Sequence, residues 1–262
     1  MDSLHVNGLE IAYRRAGSGP PLVLLHSAAS DSREWSFQLA ALADEFTVVA
    51  WDQPGAGGSS DLPSGFRLDD YASCLAGLID ELGLGSAHVA GLSWGGMVAL
   101  ELHRVAPRLT ATLILADTYA GWRGSLPEPE RRARVEGLRR ALAEPGDVAA
   151  SFPGLLAGEP SPQVDALLGE IAAAVRPEAV RGLLDLAELD QRDLLPRVAA
   201  PTLLLWGERD ARSPLRVARQ FEAAISGAKL VVIPGAGHLS QLERPDPFNQ
   251  AVRDFCRAHP PG

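Results

Sequence analysis

Val89-Ala90-Gly91-Leu92-Ser93-Trp94-Gly95-Gly96-Met97-Val98-Ala99-Leu100 joins an apolar run, residues 87–90, to a stretch, residues 97–105, that contains neither Gly nor Pro. The run reads as a buried strand and the stretch as a helix. Between them lies G-x-S-x-G, a reversal so tight that Gly is needed on both sides, with the central hydroxyl pushed out above the sheet. Three fixed positions recur by chance in about one chain in ten of this length. The strand and helix locked on either flank are what give the motif weight, and they make Ser93 the candidate nucleophile.

Working outward, continuous apolar runs at 22–25, 46–50, 112–116, 202–205 and 230–233 have the character of strands buried on both faces. Helical patterns at 34–42, 68–82, 97–105, 215–225 and 246–258 lie between them. Such alternation predicts parallel βαβ units and an α/β fold with a doubly wound, mostly parallel sheet. Residues 4–13 alternate around Asn7-Gly8, a hairpin signal that places them at an antiparallel edge. The alternation breaks once. From about 119 to 197 there is no strand pattern, only helical stretches at 129–142, 163–174 and 177–189, punctuated by Pro145-Gly146, Pro153-Gly154 and Pro160-Ser161-Pro162. The organisation expected is a core of residues 1–118 and 196–262 with a helical cap, 119–195, inserted between two core strands and lying over Ser93.

A chain of 262 residues can bury one large core. Its 46% hydrophobic and 22% charged residues are ordinary globular values, which argue against disorder, and no run of 18 apolar residues suggests a membrane span. Met1-Asp2-Ser3-Leu4-His5 lacks the basic and apolar regions of a signal peptide, so a cytoplasmic location is expected. Cys74 and Cys256 sit in separate predicted helices without C-x-x-C or metal-ligand spacing and read as free thiols. A formal net charge of −9 argues against a nucleic-acid surface. There are no internal repeats, and neither a metal nor an organic cofactor is implied.

A serine hydroxyl needs a base within hydrogen-bond reach and a third group to orient that base. Six histidines permit elimination. His5 lies on the edge hairpin, His88 starts a strand at its far end, His103 lies two turns into a helix, His259 is in a Pro-rich tail and His26 reads as a loop-shaping residue. His238 remains, in the Gly-rich loop Pro234-Gly235-Ala236-Gly237-His238-Leu239 after the 230–233 strand, at the carboxyl edge where ligands collect in such sheets. For the acid, Asp210 follows the 202–205 strand through Gly207-Glu208-Arg209 and is preferred; Asp117, at the end of 112–116, and Glu208 are its rivals. Negative charge developing on a carbonyl oxygen needs donors. The backbone N–H of Trp94, at a helix N-terminus, supplies one, and the loop His26-Ser27-Ala28-Ala29 the other, assigned to Ala28. Tyr119, Trp122 and Arg123, near the start of the insertion, are candidate pocket-wall residues, with ordinary packing and a solvated Arg123 as the alternative.

Together these residues closely resemble the α/β-hydrolase superfamily over roughly 4–118 and 196–255. The match includes Leu25-His26, Trp35, and Asp52-Gln53-Pro54-Gly55-Ala56-Gly57-Gly58-Ser59, which looks like the family's D-x-x-G-x-G-x-S turn. Gly207-Glu208-Arg209-Asp210, Gly237-His238 and Leu242-Glu243-Arg244-Pro245 look like its acid and base segments. The resemblance implies the chain order Ser, acid, His. Within the superfamily the sequence is most similar to small capped enzymes: carboxylesterases, enol-lactone hydrolases such as 3-oxoadipate enol-lactonase, with which Ala116-Asp117-Thr118-Tyr119-Ala120 is shared in kind, and cofactor-free perhydrolases. It implies a cofactor-independent enzyme that cleaves a small ester or lactone through an acyl-enzyme. Hydrolysis of a C–C bond in a vinylogous diketone, or a ligand-binding or biosynthetic role, are the alternatives. A Ser nucleophile argues against the dehalogenase and epoxide-hydrolase branches. Relatives usually carry Gly after the loop His, whereas here Ser27 stands, so this loop is expected to differ in shape or to offer the Ser27 hydroxyl as a donor.

Overall fold

The computed structural model describes residues 1–143, 154–176, 184 and 188–262. Eight strands, β1 (Asp2–Val6), β2 (Leu9–Ala16), β3 (Pro21–Leu25), β4 (Thr47–Trp51), β5 (Ala87–Leu92), β6 (Thr110–Ala116), β7 (Thr202–Gly207) and β8 (Lys229–Ile233), form one sheet in the order β1-β2-β4-β3-β5-β6-β7-β8. β1 and β2 are antiparallel to each other and β2 to β4; every other pairing is parallel. Asn7 (φ 51°) and Gly8 (φ 82°) both take left-handed conformations in the β1–β2 turn, which suits the twist of a two-residue hairpin.

The apolar runs are continuous because each faces two cores. Val23 and Leu25 enter one hydrophobic cluster while Leu22 and Leu24 enter the other. On the first face lie helices α2 (Leu68–Glu81) and α3 (Trp94–Val105), through Leu75, Leu78, Val98 and Leu102, with Val217 and Phe221 from a later helix. The second face is covered by α1 (Ser36–Leu42), through Leu42, and by Phe248 and Val252 near the C-terminus. At the far edge, β8 alternates between exposed and half-buried residues until Ile233, as a strand with one neighbour does.

Two helix starts differ from the sequence reading. The 34–42 pattern divides into a 3-10 turn, Ser32–Trp35, followed by α1. α3 begins at Trp94 rather than residue 97, directly after Ser93. Its first turn accepts Gly95 and Gly96 because there is no room for a side chain: a Cβ on Gly95 would run into the Leu25 carbonyl, and one on Gly96 into the Thr118 side chain.

Between β6 and β7 the described residues contain no strand; they include α4 (Trp122–Ser125), which the sequence did not signal, α5 (Glu128–Ala143), α6 (Pro162–Ala173) and a 3-10 turn, Leu195–Arg197. Ser161 caps α6, its hydroxyl accepting from Val164 N at 3.3 Å, with Pro162 at the first helical position. Most of the 177–189 pattern, and the Pro145-Gly146 turn, fall outside the described residues. This segment is bonded to the core: Leu239 N–H donates to Leu155 O (3.1 Å), Ala157 N–H to the Glu243 carboxylate (2.8 Å), and Arg176 to Asp61 (2.7 Å) and the Ser59 carbonyl (2.8 Å). Then follow α7 (Leu215–Ala224), α8 (Ser240–Glu243) and α9 (Pro245–Ala258). Cys74 and Cys256 are free and buried, and among the described residues no helix is long and apolar enough to cross a membrane.

Gly95→Ala tests the packing at the start of α3. The added methyl must displace backbone, and the unfolding free energy is expected to fall by about 1–3 kcal/mol, read as a lower urea midpoint at unchanged m-value. An unchanged midpoint would contradict the close approach.

Candidate functional site

Ser93, Asp117, Asp210 and His238 all follow the carboxyl ends of adjacent parallel strands, β5 to β8. Ser93 itself is strained, at φ 53° and ψ −114°. Its conformation is held from both sides: its N–H donates to Ala116 O at 2.9 Å, and its carbonyl accepts from Gly96 N at 3.0 Å and from the Thr118 hydroxyl. A Cβ on Gly91 would collide with the backbone of Gly95, which explains the Gly on the strand side of the turn.

The structure brings Ser93, His238 and Asp210 together. His238 Nε2 lies 3.0 Å from Ser93 Oγ and Nδ1 lies 2.9 Å from Asp210 Oδ2. The other Asp210 oxygen accepts the backbone N–H groups of Arg212 and Ser213, each at 2.8 Å. With an acid on one ring nitrogen and a hydroxyl on the other, the proton belongs on Nδ1 and the lone pair of Nε2 faces Ser93. Burial pulls the His238 pKa below the 6.5 of an ordinary imidazole, while the Asp210 charge pulls it back up. The ring is therefore neutral at neutral pH, the form that can accept a proton.

The two rival acids are engaged elsewhere. Glu208 is exposed, and its carboxylate accepts the Gly235 N–H at 2.9 Å. Asp117 is fully buried and accepts from Gly207 N–H (2.7 Å) and from the Ser240 hydroxyl (2.5 Å). Burial, reinforced by the charge of Asp210, pushes its pKa well above the usual carboxylate range. The remaining histidines have other partners or are exposed: His88 bonds Thr112 (2.9 Å) and is pulled down to about 4 by burial, His103 accepts from Ala199 N (3.4 Å), and His259 bonds Phe255 O (2.9 Å). His5 is exposed.

The loop after β3 is pinned at three atoms of one residue. The buried carboxylate of Glu34 accepts the Ser27 N–H (2.8 Å) and the Ser27 hydroxyl (2.6 Å), while His26 Nδ1 lies 2.8 Å from Ser27 O. His26 Nε2 accepts from Gln53 N at 3.2 Å, so the His26 proton is on Nδ1 and donates to that carbonyl. A trans peptide sets its N–H opposite its C=O. Fixing the Ser27 carbonyl thus fixes the direction of the Ala28 N–H. Neither Ala28 N nor Trp94 N has an acceptor among the described residues. The Ser27 hydroxyl, expected as an extra donor, is instead committed to Glu34. Glu34 escaped the sequence reading because a carboxylate within a helical pattern reads as solvated; its position next to the buried Trp35 was the available signal.

Of the wall residues, Tyr119 is 2% exposed and its ring centre is 6.2 Å from that of His238. Its hydroxyl accepts from Arg134 at 2.7 Å, and burial pushes its pKa up to about 12. Trp122 meets Tyr119 edge-on at 6.5 Å, with the Arg134 guanidinium 5.6 Å and 5.7 Å from the two ring centres. Arg134 was not anticipated. Arg123, for which a pocket wall and a solvated position were both open, is exposed and interacts with the charge of Asp190. The Trp94 side chain donates to Gln53 Oε1 (2.7 Å) and meets Tyr71 edge-on at 5.5 Å. Among the described residues no group of three His, Cys, Asp or Glu could hold a metal ion.

The alpha/beta hydrolase family model matches residues 22–251, and the chain belongs to this family. It is similar, at 34% identity and a TM-score of 0.87 over 98% of this chain and 97% of the other, to a thermophilic esterase from Thermogutta terrifontis solved with malate bound. An enol-lactonase from Burkholderia xenovorans LB400 is 26% identical with a TM-score of 0.84, over 98% of this chain and 100% of that one. By sequence the chain is 31% identical, over 92% of its length, to a dihydrolipoyllysine-residue acetyltransferase component of an acetoin cleaving system from Pseudomonas putida, and spans 64% of that protein. The family and its esterase and lactonase members define the class: hydrolases acting on ester-type bonds.

Glu34→Ala removes the acceptor for two Ser27 donors. It is expected to lower kcat by about 10–100-fold, below the full loss of an oxyanion donor, with KM within about threefold; Glu34→Gln keeps most of the turnover. Wild-type kcat in a folded Glu34→Ala protein would refute the role of the clamp.

Proposed function

We propose that the protein is a serine hydrolase of a small carboxylic ester or lactone, acting through an acyl-enzyme. The observation that carries this reading is the single imidazole bridging a strained hydroxyl and a buried carboxylate, at 3.0 Å and 2.9 Å. Ser93 attacks the carbonyl carbon as His238 Nε2 takes its proton. Asp210 holds the ring in orientation and stabilises the imidazolium that forms. The oxyanion is met by the backbone N–H groups of Ala28 and Trp94, the second at the N-terminus of α3, where the helix dipole favours negative charge. The tetrahedral intermediate collapses with the proton passing from His238 to the departing alkoxide, leaving the acyl group on Ser93. A water deprotonated by His238 then attacks the acyl-enzyme, and the acid leaves as Ser93 recovers its proton.

The segment between β6 and β7 serves in this reading as a cap over Ser93. Its bonds to the His238 loop and to residues 57–61, and the placement of Tyr119 beside the imidazole, support that role. The likeness to an esterase and an enol-lactonase supports the substrate class.

On p-nitrophenyl esters and enol-lactones, Ser93→Ala is expected to lose kcat by at least about 10⁴-fold, and mass spectrometry of quenched wild-type turnover should find the acyl group on the peptide containing Ser93. Retained turnover in Ser93→Ala would reject the mechanism. Because the base works only when neutral and burial lowers its pKa, kcat/KM should hold as pH drops through 6.5 and decline below it. An acid limb above 6.5 would contradict the burial of His238.

A further inference from the structure

The three residues that close β6 touch every loop that carries a member of the triad. Ala116 O accepts the Ser93 N–H at 2.9 Å, and the Thr118 hydroxyl donates to Ser93 O. Thr118 O in turn accepts the Ser213 hydroxyl at 2.6 Å, and Ser213 N–H is one of the two amides on Asp210. Between them Asp117, itself left-handed at φ 45°, spans two loops with one carboxyl. Oδ1 takes the N–H of Gly207, where the chain leaves β7 three residues before Asp210, and Oδ2 takes the hydroxyl of Ser240, two residues after His238.

We propose that Asp117 is a positioning residue for the reaction: it straps the acid turn and the base loop to the end of β6, so setting the Asp210–His238 geometry. The assignment rests on the triad reading above. Asp117 has no cationic partner among the described residues, and burial and the charge of Asp210 both favour its neutral form. Asp210, facing His238 Nδ1 and two backbone N–H groups, keeps the negative charge. Asp210 is held by the two amides on one oxygen and by His238 on the other, and the Asp117 straps fix the turn and the loop that carry these groups.

A neutral acid can be imitated by an amide, which predicts different fates for two substitutions. In Asp117→Asn the side-chain oxygen still accepts from Gly207 while the NH₂ group donates to the Ser240 hydroxyl. It is expected to keep kcat within about threefold of wild type, and to keep the low-field proton resonance of His238 Nδ1–H. In Asp117→Ala the straps are lost. There kcat is expected to fall by about 10²-fold, as for a misplaced catalytic group, with KM within about threefold and the low-field resonance lost or shifted. Ser240→Ala, which removes one strap, should lie between. Labelling of the wild type by a fluorophosphonate probe separates the two levels of the reading. No labelling of Ser93 would reject the triad itself. Efficient labelling of wild type, with equal labelling and an unchanged resonance in folded Asp117→Ala, would overturn the role of Asp117 alone, and an Asp117→Asn protein as impaired as Asp117→Ala would overturn the neutral strap.

Discussion

Ser93 occupies a left-handed conformation that costs an L-residue about 1–3 kcal/mol, and the surroundings leave it no alternative. Glycines on both sides let β5, the start of α3 and the carbonyls of Leu25 and His26 approach more closely than any side chain would permit. The backbone of the turn is hydrogen-bonded to Ala116 and Thr118, so the end of the neighbouring strand holds it in place. The rest of the site inherits its geometry from this reversal. It brings the loop after β3 alongside the first turn of α3, and it turns the hydroxyl toward the imidazole that arrives from β8.

Much of the architecture was legible because it is written in periodicity. Runs such as 22–25 lack polar interruption since alternate residues enter different cores, and α/β alternation then leaves few topologies. Ser93, Asp210 and His238 were legible as a set because each follows an apolar run at the same sheet edge and two are flanked by glycines. What the sequence concealed was the support behind them. Glu34 and Arg134 are charged residues in helical patterns, which ordinarily face water, and only the folded chain reveals one stapled to Ser27 and the other set over the rings of Tyr119 and Trp122. The start of α3 was obscured for a related reason: glycines that weaken a helix in isolation are here required by packing. Arg123 shows the converse, a residue next to the right segment in sequence whose side chain faces outward.

The buried polar groups form two assemblies with opposite electrical character. Around Asp210 they concentrate negative charge: a carboxylate meeting two amides and an imidazole, with a second carboxyl raised toward neutrality behind it. Around Ala28 and Trp94 backbone N–H groups are left without internal acceptors. His238 and Ser93 stand between the two. In the proposed mechanism, a proton moving from hydroxyl to imidazole would place positive charge toward the first assembly as negative charge develops toward the second, and the protein dipoles would need little reorganisation during the transfer.

Leu239, the residue directly after the imidazole, is hydrogen-bonded to Leu155 in the inserted segment, and Glu243 of the same stretch receives Ala157. In the proposed mechanism, the segment that caps the site is therefore tethered to the loop of the residue that accepts the proton. Exchange of this region among homologues is not a neutral graft: a donor sequence must restore the backbone tie at Leu239 or leave the imidazole less firmly held, whatever its fit to the new ligand.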